Sequence, residues 1–288
     1  MSTVPSDFVK PPKPILDWSR QDIEQRLLFP GGRHTRVNNL LTGLLGGILT
    51  ASFFGLLQVS ALRTSTVTDV FINRGPTQFV VVFLFFWSLV ILTIKWLKLR
   101  FQRKSLDVRV IPNEPGFTLS TATVARVLDH IHDCVDDPRH FILFNRIVVA
   151  LANFRNLGHV GDVDVILRSQ ASQDESAMET SYALVQGFVW AIPVLGFIGT
   201  VLGLSQAIGE FTGVLGAAGD ISHITSALKG VTGGLATAFD TTLVALVAAL
   251  CIQMQMTVIK KEEEEFLDAA MEFGIRNVVG RLRIADKH

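Results

Sequence analysis

Two stretches decide the fold: residues 184–208, LVQGFVWAIPVLGFIGTVLGLSQAI, and residues 231–254, VTGGLATAFDTTLVALVAALCIQM. Each exceeds the roughly 20 residues that a helix needs to cross the hydrocarbon layer of a membrane. Both are rich in Gly, Ala and Thr, which a helix surrounded only by lipid does not need. In the first, Gly196, Thr200, Gly203 and Ala207 recur every three or four residues and share one helix face, with Gly199 beside them. In the second, Gly230, Gly234, Thr237, Thr241, Ala245 and Ala248 do the same. A joining loop over 211–225 makes the two helices antiparallel. Two small, hydroxyl-dotted faces then lie side by side as a lane for a third helix, water or an ion.

Asp240 sits inside the second stretch. A carboxylate there costs on the order of 2.5–3.5 kcal/mol on insertion scales, so it marks an ion pathway or is held by a partner such as Lys229 or Arg63. The glycines read first as packing residues. The Thr hydroxyls either bond their own helix backbone or handle an ion. Pro193 reads as a kink or a helix-start device within the third span.

Working outward, residues 40–62 run apolar without a charge and read as a first membrane helix, with Gly43, Gly46 and Gly47 allowing close approach. Residues 79–97 read as a second, bulky with Phe79, Phe83, Phe85, Phe86 and Trp87, which suits a lipid-facing position. Lys95, Lys98, Arg100, Arg103 and Lys104 close it. With Arg26, Arg33 and Arg36 before the first helix, this basic excess places both termini in the cytoplasm.

The organisation expected is all-α, a polytopic membrane protein with four transmembrane helices. Residues 1–36 form a cytoplasmic N-terminal segment and 37–98 the first two spans. Residues 99–183 form a helical cytoplasmic section, 184–260 the channel hairpin, and 261–288 a cytoplasmic helix continuing the fourth span. The proline-bearing start lacks the apolar core of a cleavable signal peptide. Residues 18–29 read either as an amphipathic helix N-capped by Asp17, with Trp18, Leu27, Leu28 and Phe29 at the membrane surface, or as an ordered tail. Val124, Val127, Leu128 and Ile131 give a helix over 118–135 one apolar face, and 141–154 reads as the next helix. Glu262–Glu265 read as a solvated acidic band, or as a docking surface for a cytosolic partner.

Composition excludes much else. With 26 basic and 26 acidic residues, the bulk charge gives no support to nucleic-acid binding. Cys134 and Cys251 are too far apart in sequence to suggest a disulfide framework. His130 and His132, two apart on a helix, point in different directions, so no metal and no cofactor are expected. No zinc-protease pair, P-loop or Rossmann glycine pattern appears, and enzyme activity is not expected. The first two spans do not echo the last two, against a stand-alone transporter with inverted repeats.

IPVLGFIGTVLGL over 192–204, followed by GLATAFDTTLVALVAAL over 234–250, resembles the MotA/TolQ/ExbB proton-channel family, stator or energising subunits of bacterial motors. The resemblance covers residues 184–260. It implies an inner-membrane subunit that assembles as a homopentamer around a dimer of a single-span ExbD/TolR/MotB-like partner carrying a membrane Asp. Proton passage past that Asp would do mechanical work. Thr200 matches the threonine of the GTV element and Thr242 the second pore threonine. Thr237 stands where ExbB and TolQ have a membrane glutamate, and Asp240 where they are apolar. The ion pathway expected is Thr200, Thr242, Thr241, Asp240 and Thr237, supported by Gly196, Gly199, Gly203, Gly234 and Pro193. The competing reading is a non-conducting membrane scaffold.

Overall fold

The computed structural model describes residues 14–282 except 23, 25–31, 33, 60–65, 109, 111–118, 158–159 and 217–220. The described residues are mostly helical, with two isolated parallel bridges, Leu16 to Val135 and Leu119 to Leu282, and no strand among them. The helices are α1 (Trp18–Gln21), α2 (Asn39–Leu57), α3 (Thr66–Ile72), α4 (Pro76–Arg103), α5 (Thr121–Cys134), α6 (Ile142–Leu157), α7 (Val160–Gly216) and α8 (Ile221–Asn277). Within α2, α4, α7 and α8 lie windows long and apolar enough to cross a membrane. The chain divides into two compact units: Met1–Asn38 with Thr93–Tyr182 and Ile259–His288, and Asn39–Leu92 with Ala183–Val258.

In the second unit, the bulky helix is a packing partner and not simply a lipid-facing one. Gly46 brings α2 so close to α4 that a Cβ there would sit 2.8 Å from Trp87 Cα, and one at Gly43 would meet the Trp87 ring at 3.3 Å. The indole Nε1 donates to Thr42 Oγ1 at 3.0 Å, giving the ring nitrogen of this half-buried side chain its partner. Phe53, edge-on to Phe54 and to Phe71 of α3 and tilted against Phe86, forms an aromatic cluster with them around Leu57 and Val82. Thr50 and Ser88 return their hydroxyls to Gly46 O and Leu84 O at 2.8 Å, so neither is left unsatisfied in an apolar setting.

The hairpin differs from expectation at its tip. α7 runs to Gly216 and α8 begins at Ile221, so much of the supposed loop over 211–225 is helix. Pro193 lies inside continuous α7, which removes the helix-start reading.

The first unit has its own core. Val124, Val127, Leu128 and Ile131 of α5 are all buried, as their spacing demands, in a cluster with Phe141, Phe144, Leu151 and Phe154. Gln102 organises the approach to α6: its Nε2 donates to His140 O at 2.6 Å, and its Oε1 accepts from Ile142 N at 3.1 Å. Trp18 is 1% exposed, stacked on His140 and edge-on to Phe141, so it belongs to this core and not to a membrane surface. Asp17 does cap α1, accepting from Arg20 N at 3.1 Å; Leu27, Leu28 and Phe29 lie outside the described residues. Burial pushes the Cys134 thiol above its usual range, reinforced by the neighbouring Asp133 carboxylate.

Buried ion pairs change the reading of the charged residues that flank the spans. Lys95 and Lys98, two of the basic residues that close the second span, are only 1% and 4% exposed. Lys98 Nζ donates to Glu24 Oε2 at 2.6 Å and Arg36 O at 2.9 Å, while Lys95 Nζ donates to Ser181 Oγ at 2.8 Å. Glu263 is likewise withdrawn from the supposed acidic band. It is 1% exposed and accepts from Tyr182 Oη at 2.7 Å and from the Thr35 hydroxyl, with Lys95 Nζ 3.4 Å away. Glu264 and Glu265 remain exposed.

Candidate ion-handling site

The seam between α7 and α8 in the second unit is built from the absence of side chains. A Cβ at Gly203 would lie 2.6 Å from Gly234 O, and one at Gly234 would lie 2.6 Å from Gly203 O. The two helix backbones therefore touch. Further along, a Cβ at Gly196 would meet Ala245 Cβ at 2.6 Å, and one at Gly199 would meet Thr241 Oγ1 at 2.5 Å. Without hydrophobic drive between helices in lipid, such close backbone approach and the hydrogen bonds it permits supply the association.

Against this seam the structure brings Thr200 and Thr242 together. Their hydroxyls are hydrogen-bonded to one another, and both side chains are half-buried. Thr200 Oγ1 also lies 3.1 Å from Ala238 O and 3.3 Å from Gly196 O; Thr242 Oγ1 lies 3.2 Å from Gly196 O. Two hydroxyls thus face two backbone carbonyls and each other. Each can donate one proton and accept others, so the shared bond can point either way while the second proton goes to a carbonyl. The pair therefore has two possible bond directions, each completed by a different donation to a backbone carbonyl.

The other expected residues are placed differently. Thr241 is buried against Gly199, its hydroxyl turned back to Thr237 O at 2.8 Å and Ala238 O at 3.2 Å. Thr237 donates to Gly233 O at 3.0 Å. Both hydroxyls satisfy their own helix. Pro193 is half-buried within α7.

Asp240 does not join the threonine pair. Its Oδ2 lies 2.9 Å from Arg74 Nε, so its partner is neither Lys229 nor a residue of the seam. Arg74 Nη2 is also 3.0 Å from Asp69 Oδ2. Arg74 sits in the turn before α4 and was not among the partners that the sequence suggested for Asp240; Arg63, which was, lies outside the described residues. The buried Lys95–Glu263 pair was missed as well, although a cation within an apolar window is the same signal that singled out Asp240.

Residues 150–272 match the family model described as the MotA/TolQ/ExbB proton channel family. The match reaches beyond the hairpin and takes in Thr200, Asp240 and Thr242. No curated protein and no solved structure matches the chain.

Proposed function

We propose, from the match of residues 150–272 to the model of the MotA/TolQ/ExbB proton channel family, that this multi-pass membrane protein is the ring-forming subunit of an ion-driven motor. Copies of the chain, a pentamer by the family pattern, surround a dimer of a single-span ExbD/TolR/MotB-like partner whose membrane Asp takes and releases the proton. The chain itself performs no covalent chemistry. The hydroxyl pair Thr200–Thr242, held by a glycine seam within the matched region, is the observation that carries the reading. The partner's Asp alternates between charged and neutral as it passes these hydroxyls. One elementary charge crossing 100 mV releases about 2.3 kcal/mol, enough to bias a step of the ring.

The complex lies in the inner membrane with both termini in the cytoplasm. Removing the paired Lys95 and Lys98 from the basic excess still leaves Arg100, Arg103 and Lys104 after the second span to support that orientation. Residues 99–183 and 261–288 are then cytoplasmic, the latter continuing the fourth span.

The test is proton uptake by vesicles containing the chain purified with the single-span protein encoded beside it. Thr242→Val keeps the shape and removes the hydroxyl. Uptake is expected to disappear while the copy numbers, read by native mass, stay those of the wild type. Undiminished uptake in Thr242→Val would overturn the hydroxyl role. Absence of any such neighbour, with no uptake by the wild type, would leave the membrane-scaffold reading in its place.

A further inference from the structure

Taking the threonine pair of the proposed function as the ion-handling group, we propose that Arg74 is the fixed counter-ion of Asp240. On this reading the pair fastens the turn before α4 onto α8 and does not carry the transported ion.

The first support is the side of α8 on which Asp240 lies. Ala238, Thr241, Thr242 and Ala245 face α7 at the seam. Val244, Val247, Ala248 and Cys251 instead line an apolar cavity of about 380 Å³ with Phe53 and Phe71. Asp240 precedes Val244 by one turn and belongs to this second stripe. At 3.6 residues per turn, positions 240 and 242 diverge by about 200° around the helix. The carboxylate and the Thr242 hydroxyl therefore serve opposite sides of one helix.

The second support is how Arg74 is presented. Gly75 has φ of +102°, in the left-handed region that glycine adopts freely, and Pro76 opens α4. This tight turn sets the direction of Arg74. Asp69 holds the far end of the guanidinium at 3.0 Å and itself accepts from Asn73 Nδ2 at 2.9 Å. Arg74 Nε then lies 2.9 Å from Asp240 Oδ2 as an ion pair, without a hydrogen bond from that N–H, with the two side chains only 19% and 28% exposed. An unpaired charge at such low exposure is costly, and each partner lowers the cost of the other.

The experiment is a double-mutant cycle on the complex purified with its single-span neighbour, read by vesicle proton uptake and by the thermal unfolding midpoint in detergent. Asp240→Asn and Arg74→Gln are each expected to lower the midpoint and to reduce uptake about threefold to tenfold. The double variant should be no worse than the poorer single, because both remove the same contact. Arg74→Lys and Asp240→Glu, which keep the charges, should restore at least half of the lost uptake. Losses that add in the double variant would overturn the proposal. So would an Asp240→Asn complex that unfolds like the wild type yet takes up no protons. Should Arg74→Gln fail to fold, the charge-conserving pair decides: Asp240→Glu or Arg74→Lys with wild-type assembly but no uptake sinks it. Failure of the threonine reading would appear separately, as uptake surviving Thr242→Val, and would leave the coupling between 74 and 240 in unfolding untouched.

Discussion

Lys95 and Glu263, far apart in sequence, bring opposite charges to 3.4 Å at sites that are only 1% and 2% exposed. Each would be costly alone. Together with Ser181, Tyr182 and Thr35 they form a satisfied polar cluster in which Lys95 also lies 4.2 Å over the Tyr182 ring. Breaking such a pair from one side leaves an uncompensated buried charge, which costs about 3–5 kcal/mol.

Lys95→Met is therefore expected to lose most of that amount, and Glu263→Gln somewhat less because its amide oxygen can still accept from one of the two hydroxyls, Tyr182 or Thr35, that serve separate carboxylate oxygens. The double variant Lys95→Met with Glu263→Met should recover much of the loss, since a well-packed apolar pair replaces a buried ion pair at little net cost. Thermal midpoints of the purified chain in detergent give the comparison. A double variant as unstable as the sum of the singles would show that the two groups do not act on each other.

The glycine seam makes a steric prediction. A methyl at Gly203 or Gly234 meets backbone atoms of the facing helix at 2.6 Å, and backbone cannot swing aside as a side chain can. Gly203→Ala and Gly234→Ala should each cost about 1–3 kcal/mol, the range of overpacking. Gly209→Ala, on the same helix with open space around its Cβ position, should be neutral or slightly stabilising. Unfolding in detergent of the three variants side by side tests the difference; equal effects would mean that helix propensity and not contact governs the seam.

These residues also show what the sequence could reveal. Small residues three and four apart announce a helix face by periodicity alone, and the structure places Gly196, Gly203 and Gly234 at the α7–α8 contact. Val124, Val127 and Ile131 were legible for the same reason. What escaped was pairing across long separations. Nothing local tells Glu263 from its exposed neighbours Glu264 and Glu265, because burial of one carboxylate in four depends on where Lys95, Tyr182 and Thr35 arrive in three dimensions. Trp18 misled in the opposite direction: its amphipathic ring suits a membrane surface as well as a core, and only the approach of Phe101, His140 and Phe141 decides between them.

Trp18 consequently becomes a stability residue of the first unit. Its ring touches Phe101, His140 and Phe141, with centroids 5.4 to 5.8 Å apart. Trp18→Ala should cost about 3–5 kcal/mol, as truncation of a buried aromatic does. Measured as the shift in thermal midpoint, a loss below a quarter of that would mean the ring is dispensable to the core.

The Cys134 thiol gives a pH-dependent observable. The thiolate is the reactive form, and burial followed by the Asp133 charge disfavours it, so the thiol titrates above its usual range. At any given pH a smaller fraction is thiolate than in an unhindered peptide, and alkylation lags until the pH passes the raised value. In a Cys251→Ala background, which isolates Cys134, iodoacetamide labelling of the folded chain should be slow at pH 8 and should accelerate only at pH values where a free cysteine has already levelled off. Unfolding in guanidinium should abolish that delay by returning the thiol to water. Rapid labelling of the folded chain at neutral pH would place Cys134 at the surface, and the packing of α5 against the rest of the first unit's core would be wrong with it.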